Sequence, residues 1–146
     1  MQTQTFEPVV VEQSFATPID KVWGAITDLH QMRVWFFPQI EAFSPRAGFT
    51  TQFDVRNGDK VYPHIWRITE AIPRKKIVYD WRYGGYPGKS TVTFALSTQG
   101  GMTTLKLTHE GLESFPQGNP DFSKESCTAG WRGFICVRLK EYLEES

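Results

Sequence analysis

The stretch YPHIWRITEAIPRKKIVYDWRY, Tyr62 to Tyr83, holds two tryptophans, three tyrosines and a histidine, with most of its large rings on alternate positions. Alternation with period two marks a strand with one buried face. The segment from Ile72 to Lys75, with Pro73 inside it, interrupts the pattern and divides the stretch into two strands. Folded back on each other through either a two- or a four-residue loop, they pair Ile68 with Tyr79, Trp66 with Trp81 and His64 with Tyr83. Directly opposed residues share a face, so the rings of both strands line one surface.

The neighbouring turns extend that surface. Asn57-Gly58 is a strong signal for a two-residue hairpin, which pairs Phe49 with Trp66, Thr51 with His64 and Phe53 with Tyr62. A six-residue loop, GGYPGK (Gly84 to Lys89), brings Trp81 opposite Val92, Tyr79 opposite Phe94 and Ile77 opposite Leu96. Gly100-Gly101 closes a last hairpin, with Leu96 facing Leu105, Phe94 facing Leu107 and Val92 facing His109. One row then reads Phe49, Trp66, Trp81, Val92, His109. Its neighbours are Ile68, Tyr79, Phe94, Leu107 on one side and Thr51, His64, Tyr83 on the other. The opposite face carries Asp54, Arg56, Arg67, Thr69, Asp80, Arg82, Thr91, Thr93, Lys106 and Thr108. This is an antiparallel sheet wetted on one side.

The flanking segments supply the cover. Val9 to Ala16 is a β-branched strand candidate. Thr17 then serves as a helix cap, Pro18 as first helical residue and Asp20 as a carboxylate in the first turn. Ile19, Val22, Trp23, Ile26 and Leu29 form its apolar stripe, and a second short helix runs from Asp28 to about Phe36 before Pro38 ends it. At the other end, FSKESCTAGWRGFICVRLKEYLEES reads as one long helix, capped by Asp121 or Ser123. Its stripe is Cys127, Trp131, Phe134, Ile135, Leu139 and Tyr142. The expected fold is α+β: a curved antiparallel sheet wrapped around a long C-terminal helix, with two short helices after the first strand.

Composition bounds the partners. The 146 residues suit one domain, 1–146, large enough to bury roughly 70% of its unfolded surface. Sixteen basic and sixteen acidic residues cancel without any basic run, which argues against nucleic acid and anionic membrane surfaces. MQTQTFEPVV has no signal-peptide pattern and no apolar run reaches transmembrane length. Cys127 and Cys136 lie nine positions apart in a helix, too far for a disulfide. Reduced thiols, a cytoplasmic location and no integral membrane association are the expectation.

The order of elements resembles the helix-grip, START-like fold of the birch-pollen-allergen superfamily. Within it the chain is similar to the branch named after the activator of heat-shock protein 90 ATPase homologue. TPIDKVWGAITD (Thr17 to Asp28), VWFFP (Val34 to Pro38), RITEAIPRKKIVYDWRY (Arg67 to Tyr83), STVTFALS (Ser90 to Ser97), TTLKLTHEGL (Thr103 to Leu112) and GWRGFICVRLKEYL (Gly130 to Leu143) carry the resemblance. Two departures stand out. A glycine pair that often opens the first strand of the meander is reduced to Gly48, and the usual tryptophan pair before the proline is replaced by Phe36-Phe37. The resemblance implies a cavity fold that hosts lipid carriers, polyketide cyclases, self-resistance proteins and chaperone regulators, and fold does not choose among them.

Candidate site residues follow from the inner face. Trp35, Phe49, Tyr62, Trp66, Tyr79, Trp81, Phe94, Trp131 and Phe134 either fill a core or wall a partly filled cavity. His64, Thr51 and Tyr83 form a polar cluster on that aromatic surface, either a ligand-orienting group or a hydrogen-bonded rim. His109 is either a structural histidine or a cavity polar group. Arg138 either meets a ligand anion or snorkels to the rim. The loop GLESFPQGNPDF (Gly111 to Phe122) is either a lid or a surface loop pinned by its phenylalanines, and Trp35, Phe36 and Phe37 form an opposing lip. There is no phosphate-cradling loop, no CxxC and no G-x-S-x-G, and His30, His64 and His109 lack metal-ligand spacing. Neither cofactor nor metal is expected, and nothing requires catalysis.

The leading expectation is therefore binding of a small hydrophobic or amphipathic molecule between sheet and helix. The alternatives are a cyclase- or hydrolase-like enzyme using His64 or His109 as general acid/base, and a protein-interaction role like that of the chaperone activator. A homodimer through a sheet edge or helix face is compatible with the sequence.

Overall fold

A computed structural model describes residues 7–144. The first six positions, MQTQTF, and the last two, covered by the signal-peptide and domain expectations, lie outside the described residues. The chain runs β1 (Val9–Phe15), α1 (Ile19–Thr27), α2 (Leu29–Trp35), β2 (Thr50–Asn57), β3 (Lys60–Ile72), β4 (Lys76–Tyr83), β5 (Ser90–Gln99) and β6 (Met102–Glu110). Two short 3₁₀ turns, Leu112–Ser114 and Pro120–Phe122, lead into α3 (Lys124–Arg132), a π-helical segment (Gly133–Leu139) and α4 (Lys140–Glu144). The six strands form one antiparallel sheet in the order β1-β6-β5-β4-β3-β2. The sheet curves around the C-terminal helix of 21 residues, the α+β arrangement expected.

The faces fall as the alternation requires, because the side-chain period is two. Phe53, Tyr62, His64, Trp66, Ile68, Tyr79, Trp81, Val92, Phe94, Leu107 and His109 are all buried on the inner side. Two registers differ from expectation by two residues. β2 pairs Thr51 with Trp66 and Phe53 with His64, because the turn is Gly58-Asp59 rather than Asn57-Gly58. Only Gly58 takes positive φ there (63°), as a turn with glycine at its first central position requires. β4 pairs Tyr79 with Val92 and Trp81 with Ser90. Ser90 holds that register, since its buried hydroxyl donates to the Trp81 carbonyl at 2.8 Å. A slip of two keeps every side chain on its own face, so the rows shift along the sheet without turning over. The β3–β4 pairs are those expected, and a bulge at Thr69 lets a three-residue loop, Pro73 to Lys75, close the hairpin. The β5–β6 register is as expected.

The helices differ in two details. Pro18, not Thr17, precedes α1, and no side chain caps it. Thr17 is instead docked on β6, where its carbonyl accepts from the Thr103 hydroxyl at 2.6 Å. α2 is capped by Asp28, which accepts from the Gln31 amide. The C-terminal helix begins at the Ser123 cap but is not α-helical throughout. Its buried positions are Trp131, Ile135, Leu139 and Leu143, four apart. On an α-helix such positions drift around the axis by about 40° per step. The wider turns of the π segment drift the other way, so the stripe stays aimed at the sheet. Cys127, Phe134 and Tyr142, expected on the same stripe, are only partly buried beside it.

Candidate functional site

A cavity of about 310 Å³ lies between the C-terminal helix and the end of the sheet nearest the β2–β3 turn. β3 supplies Tyr62 and His64, and β4 supplies Trp81 and Tyr83, which the paired register sets beside them. The helix contributes Cys127, Gly130, Trp131 and Phe134; Phe37 enters from the chain after α2, and Asp121 and Phe122 come from the loop before the helix. Val55, Arg56 and Asn57 of β2 and Ser126 complete the lining, with His109 on the β6 side.

The two inner histidines do different work. The indole N–H of Trp131 donates to Nδ1 of His109 at 3.1 Å, and a tryptophan nitrogen can only donate. His109 is therefore the Nε2–H tautomer and donates to the Ser90 hydroxyl at 2.8 Å, which donates in turn to the Trp81 carbonyl. Both ring nitrogens are spent within the protein. In His64 the carbonyl of Tyr62 can only accept, so Nδ1 carries the proton and donates to it at 2.9 Å. Nε2 of His64 is then a bare acceptor, with no partner among the described residues. Burial lowers both pKa values from 6.5, to about 4 for His64 and about 3 for His109. Both rings are neutral at physiological pH. Burial raises the Tyr83 phenol well above its ordinary value and the Cys127 thiol to about 11, so these walls are uncharged too.

Charge is confined to the mouth. Asp121 accepts from the Tyr62 hydroxyl and from Asn57 Nδ2 (3.0 Å), and Lys60 stands 3.9 Å away. Asn119 donates to the Tyr62 oxygen at 3.1 Å. Burial, then the bond to Asp121, pushes the Tyr62 phenol up to about 12, which keeps its proton available to donate. These bonds tie the loop from Gly111 to Phe122 across the end of the β2–β3 hairpin. The base of the loop is fixed against the β4–β5 connection: Ser114 Oγ bonds both the amide and the carbonyl of Lys89. Gly88 (φ 107°) lies so close that a side chain there would collide with the Ser114 backbone and the Phe115 ring. Phe115 and Phe122 are buried.

Of the residues expected at the site, Tyr62, His64, Trp81, Tyr83, His109, Trp131 and Phe134 meet around this cavity. The others lie elsewhere. Phe36, expected at a lip, is fully buried and occupies the space between helix and sheet, 4.7 Å from Trp35, 5.5 Å from Trp66 and 4.9 Å from Phe134 between ring centres. Behind that plug Trp66, Tyr79 and Phe94 are core residues, and the Trp66 Nε1 and Tyr79 hydroxyl are sealed without a hydrogen-bond partner. Trp35 is buried too, its indole donating to the Ala25 carbonyl at 2.7 Å and joining α2 to α1. Phe49 packs on Phe43, and Thr51 sits opposite Trp66, both away from the cavity. Arg138 is exposed; it reaches the Val34 and Phe36 carbonyls at 3.4 and 3.5 Å and overlies Phe134. A cation at the last carbonyls of α2 is a helix-end partner, on the far side of Phe134 from the cavity.

Asp121 and Asn57 lie in the wall without having been singled out for it, and Phe37, expected at a lip with Trp35 and Phe36, lines it. Asp121 reads locally as a helix cap, and its partner Tyr62 is 59 positions away, a contact no local pattern announces. Among the described residues no group of three or more His, Cys, Asp or Glu could hold a metal ion, and no helix is long and apolar enough to cross a membrane.

The model of the family described as Activator of Hsp90 ATPase homolog 1-like protein matches residues 16–144. Among solved structures, DynU16, a protein of the dynemicin biosynthetic locus, aligns with a TM-score of 0.77 and 26% identity over 96% of this chain and 48% of that one. The chain thus spans about half the length of DynU16. A protein from Chromobacterium violaceum aligns with a TM-score of 0.79 and 20% identity over 94% of this chain and 97% of that one. The Aha1 dimer from Colwellia psychrerythraea aligns with a TM-score of 0.72 and 18% identity over 95% and 97% of the two chains. The last two likenesses speak for the fold alone. No curated protein matches the sequence.

Proposed function

The chain belongs to the family of Activator of Hsp90 ATPase homolog 1-like proteins, and from that premise we propose that it is a cytoplasmic, single-domain binding module for a small apolar or amphipathic molecule. The ligand sits between β3, β4 and the C-terminal helix. One observation carries this reading: the 310 Å³ cavity has aromatic walls and few polar atoms, the character of small-molecule sites and within their size range of about 300–1,000 Å³. Affinity comes from apolar burial at roughly 25 cal/mol per Å².

The cyclase- or hydrolase-like alternative needs a histidine base. His109 has no free nitrogen, and His64, held near pKa 4, is a weak base at neutral pH, where general bases work best with a pKa close to the medium. Binding is the reading the site supports better. A second copy of the chain is compatible with it, given the dimeric Aha1 among the structural likenesses.

Native mass spectrometry of freshly purified protein, followed by denaturing extraction, tests the proposal. A stoichiometric small-molecule adduct supports it. An apo mass, together with failure of any aromatic probe to quench the cavity tryptophans, overturns it.

A further inference from the structure

We infer that the ligand is uncharged and flat, and that it carries a hydroxyl that donates to Nε2 of His64. The inference rests on the ligand-binding reading above and deepens it.

Three observations carry it. The first is the tautomer. Nδ1 must hold the proton, because its partner, the Tyr62 carbonyl, can only accept. Neutral imidazole has one N–H, so Nε2 offers a lone pair. The ring is held against turning over: it stacks on Phe53 (5.4 Å, 28°) and meets Phe37 (5.1 Å) and Tyr83 (4.9 Å) edge-on. Turning it would also place a carbon against the Tyr62 carbonyl.

The second is accessibility. His64 is 6% exposed and lines the cavity. Nε2 nevertheless is not among the sealed, unpaired atoms, unlike Trp66 Nε1 and the Tyr79 hydroxyl. It has no partner among the described residues and it reaches the cavity. An acceptor open to the cavity is met by water in the empty site, and a ligand hydroxyl takes that water's place, whereas a ligand without a donor leaves the nitrogen buried and unmet.

The third is the lack of competition. His109 is saturated on both nitrogens, and both Asp121 oxygens are engaged by Tyr62 and Asn57. At His64 the site therefore presents an acceptor, while the cationic residue of the lining, Arg56, is exposed on β2. A carboxylate there would set negative charge against a lone pair, and an unpaired buried charge is expensive. The ring walls of Trp81, Tyr83, Phe122 and Phe134 suit a flat partner.

Naphthalene, naphthol and naphthoate serve as probes, titrated calorimetrically into the full chain and into His64→Phe, which keeps a ring in the stack and removes the acceptor. Naphthol is expected to bind about tenfold tighter than naphthalene to the native protein, and equally to His64→Phe. Naphthoate is expected to bind more weakly than naphthol. Equal affinity for naphthol and naphthalene in the native protein overturns the inference and leaves the cavity reading standing. So does a preference that survives in His64→Phe, or naphthoate binding tightest. Binding of none of the three overturns the cavity reading itself. If His64→Phe does not fold, the nitrogen chemical shift of His64 Nε2 in the native protein decides. It moves with naphthol and not with naphthalene if the inference holds, and responds alike to both if it does not.

Discussion

The indole N–H of Trp131, on the C-terminal helix, donates to Nδ1 of His109 on β6 across 3.1 Å, and this bond sets the direction of every hydrogen bond behind it. With Nδ1 accepting, Nε2–H donates to Ser90, and Ser90 donates to the Trp81 carbonyl. The relay pins the helix to β6, β5 and β4 at one point.

Trp131→Phe should therefore cost more than its lost area. It keeps a ring in place but leaves the buried His109 acceptor unmet, worth about 1–3 kcal/mol beyond the packing change. Ser90→Ala should cost a similar amount by stranding Nε2–H. Urea unfolding of both single variants and the double variant measures it. If the costs simply add, the three groups do not form one chain.

The same burial makes stability depend on acid. Both histidines have folded pKa values below their ordinary 6.5, so between those values the unfolded state binds more protons. The stabilisation is complete above pH 6.5 and is lost as pH falls, through about 4 for His64 and on to about 3 for His109. Each contributes a slope of up to about 1.4 kcal/mol per pH unit. Unfolding midpoints measured from neutral pH down to about pH 5 should fall steeply, and His64→Phe should flatten the fall. An unchanged slope in that variant would contradict the neutral, buried assignment of His64.

Phe36 decides how large the cavity is. It touches Phe37, Trp81, Trp131 and Phe134, all of which line the cavity, from the side away from the mouth. Phe36→Ala should cost about 3–5 kcal/mol and open the void behind it into the site. The variant should then accept a three- or four-ring aromatic that the native chain excludes. Stability lost with no change in the size of ligand accepted would mean that the core collapses into the gap.

Whether a ring faces the inner side was readable from the sequence; what it meets there was not. Parity alone placed Trp66, Trp81, His64 and His109 inward, and it survived two registers that slipped by two residues, because such slips cannot turn a strand over. Distance along the sheet was not protected in this way, so Phe49 no longer stands opposite Trp66; Trp66 kept its pairing with Trp81 and is cut off from the site by Phe36. The distinction between the two histidines depends on Trp131, 22 positions from His109, and on which way a single indole points. Phe36 read as a lip together with Trp35 and Phe37, yet its ring turns inward and is buried between helix and sheet. The π segment has no composition mark: Gly133 to Leu139 scans as ordinary amphipathic helix.

Trp81 and its outer-face neighbour Arg82 separate binding from general stability. Trp81 lines the cavity, while Arg82 faces water and is held, among the described residues, by Asp80 on its own strand, at 2.9 and 3.0 Å. Trp81→Leu should weaken binding of an aromatic probe by about tenfold or more through lost burial. Arg82→Ala and Arg67→Ala should leave it unchanged. Equal losses on the two faces would remove the cavity as the binding site.

Asp121 controls access. Its carboxylate joins the Gly111–Phe122 loop to Tyr62 and Asn57, and no other side-chain bond crosses the mouth to the β2–β3 hairpin among the described residues except Asn119 to Tyr62. The loop is otherwise anchored at its base, through Ser114 and Lys89. Asp121→Ala should therefore free the tip and leave the base in place. Amide exchange should quicken by about tenfold across residues 116–122, while global stability changes by about 1 kcal/mol or less, because the carboxylate is partly exposed. A ligand held beneath the loop should then bind and leave faster with little change in affinity, since the bonds broken are to the loop and not to the ligand. Lys60→Ala is the control: its ammonium stands 3.9 Å from Asp121 and is half exposed, a pairing too weak to hold the loop. If loop exchange in Asp121→Ala stays at the native rate, the mouth is closed by the burial of Phe115 and Phe122 alone, and the carboxylate is not its latch.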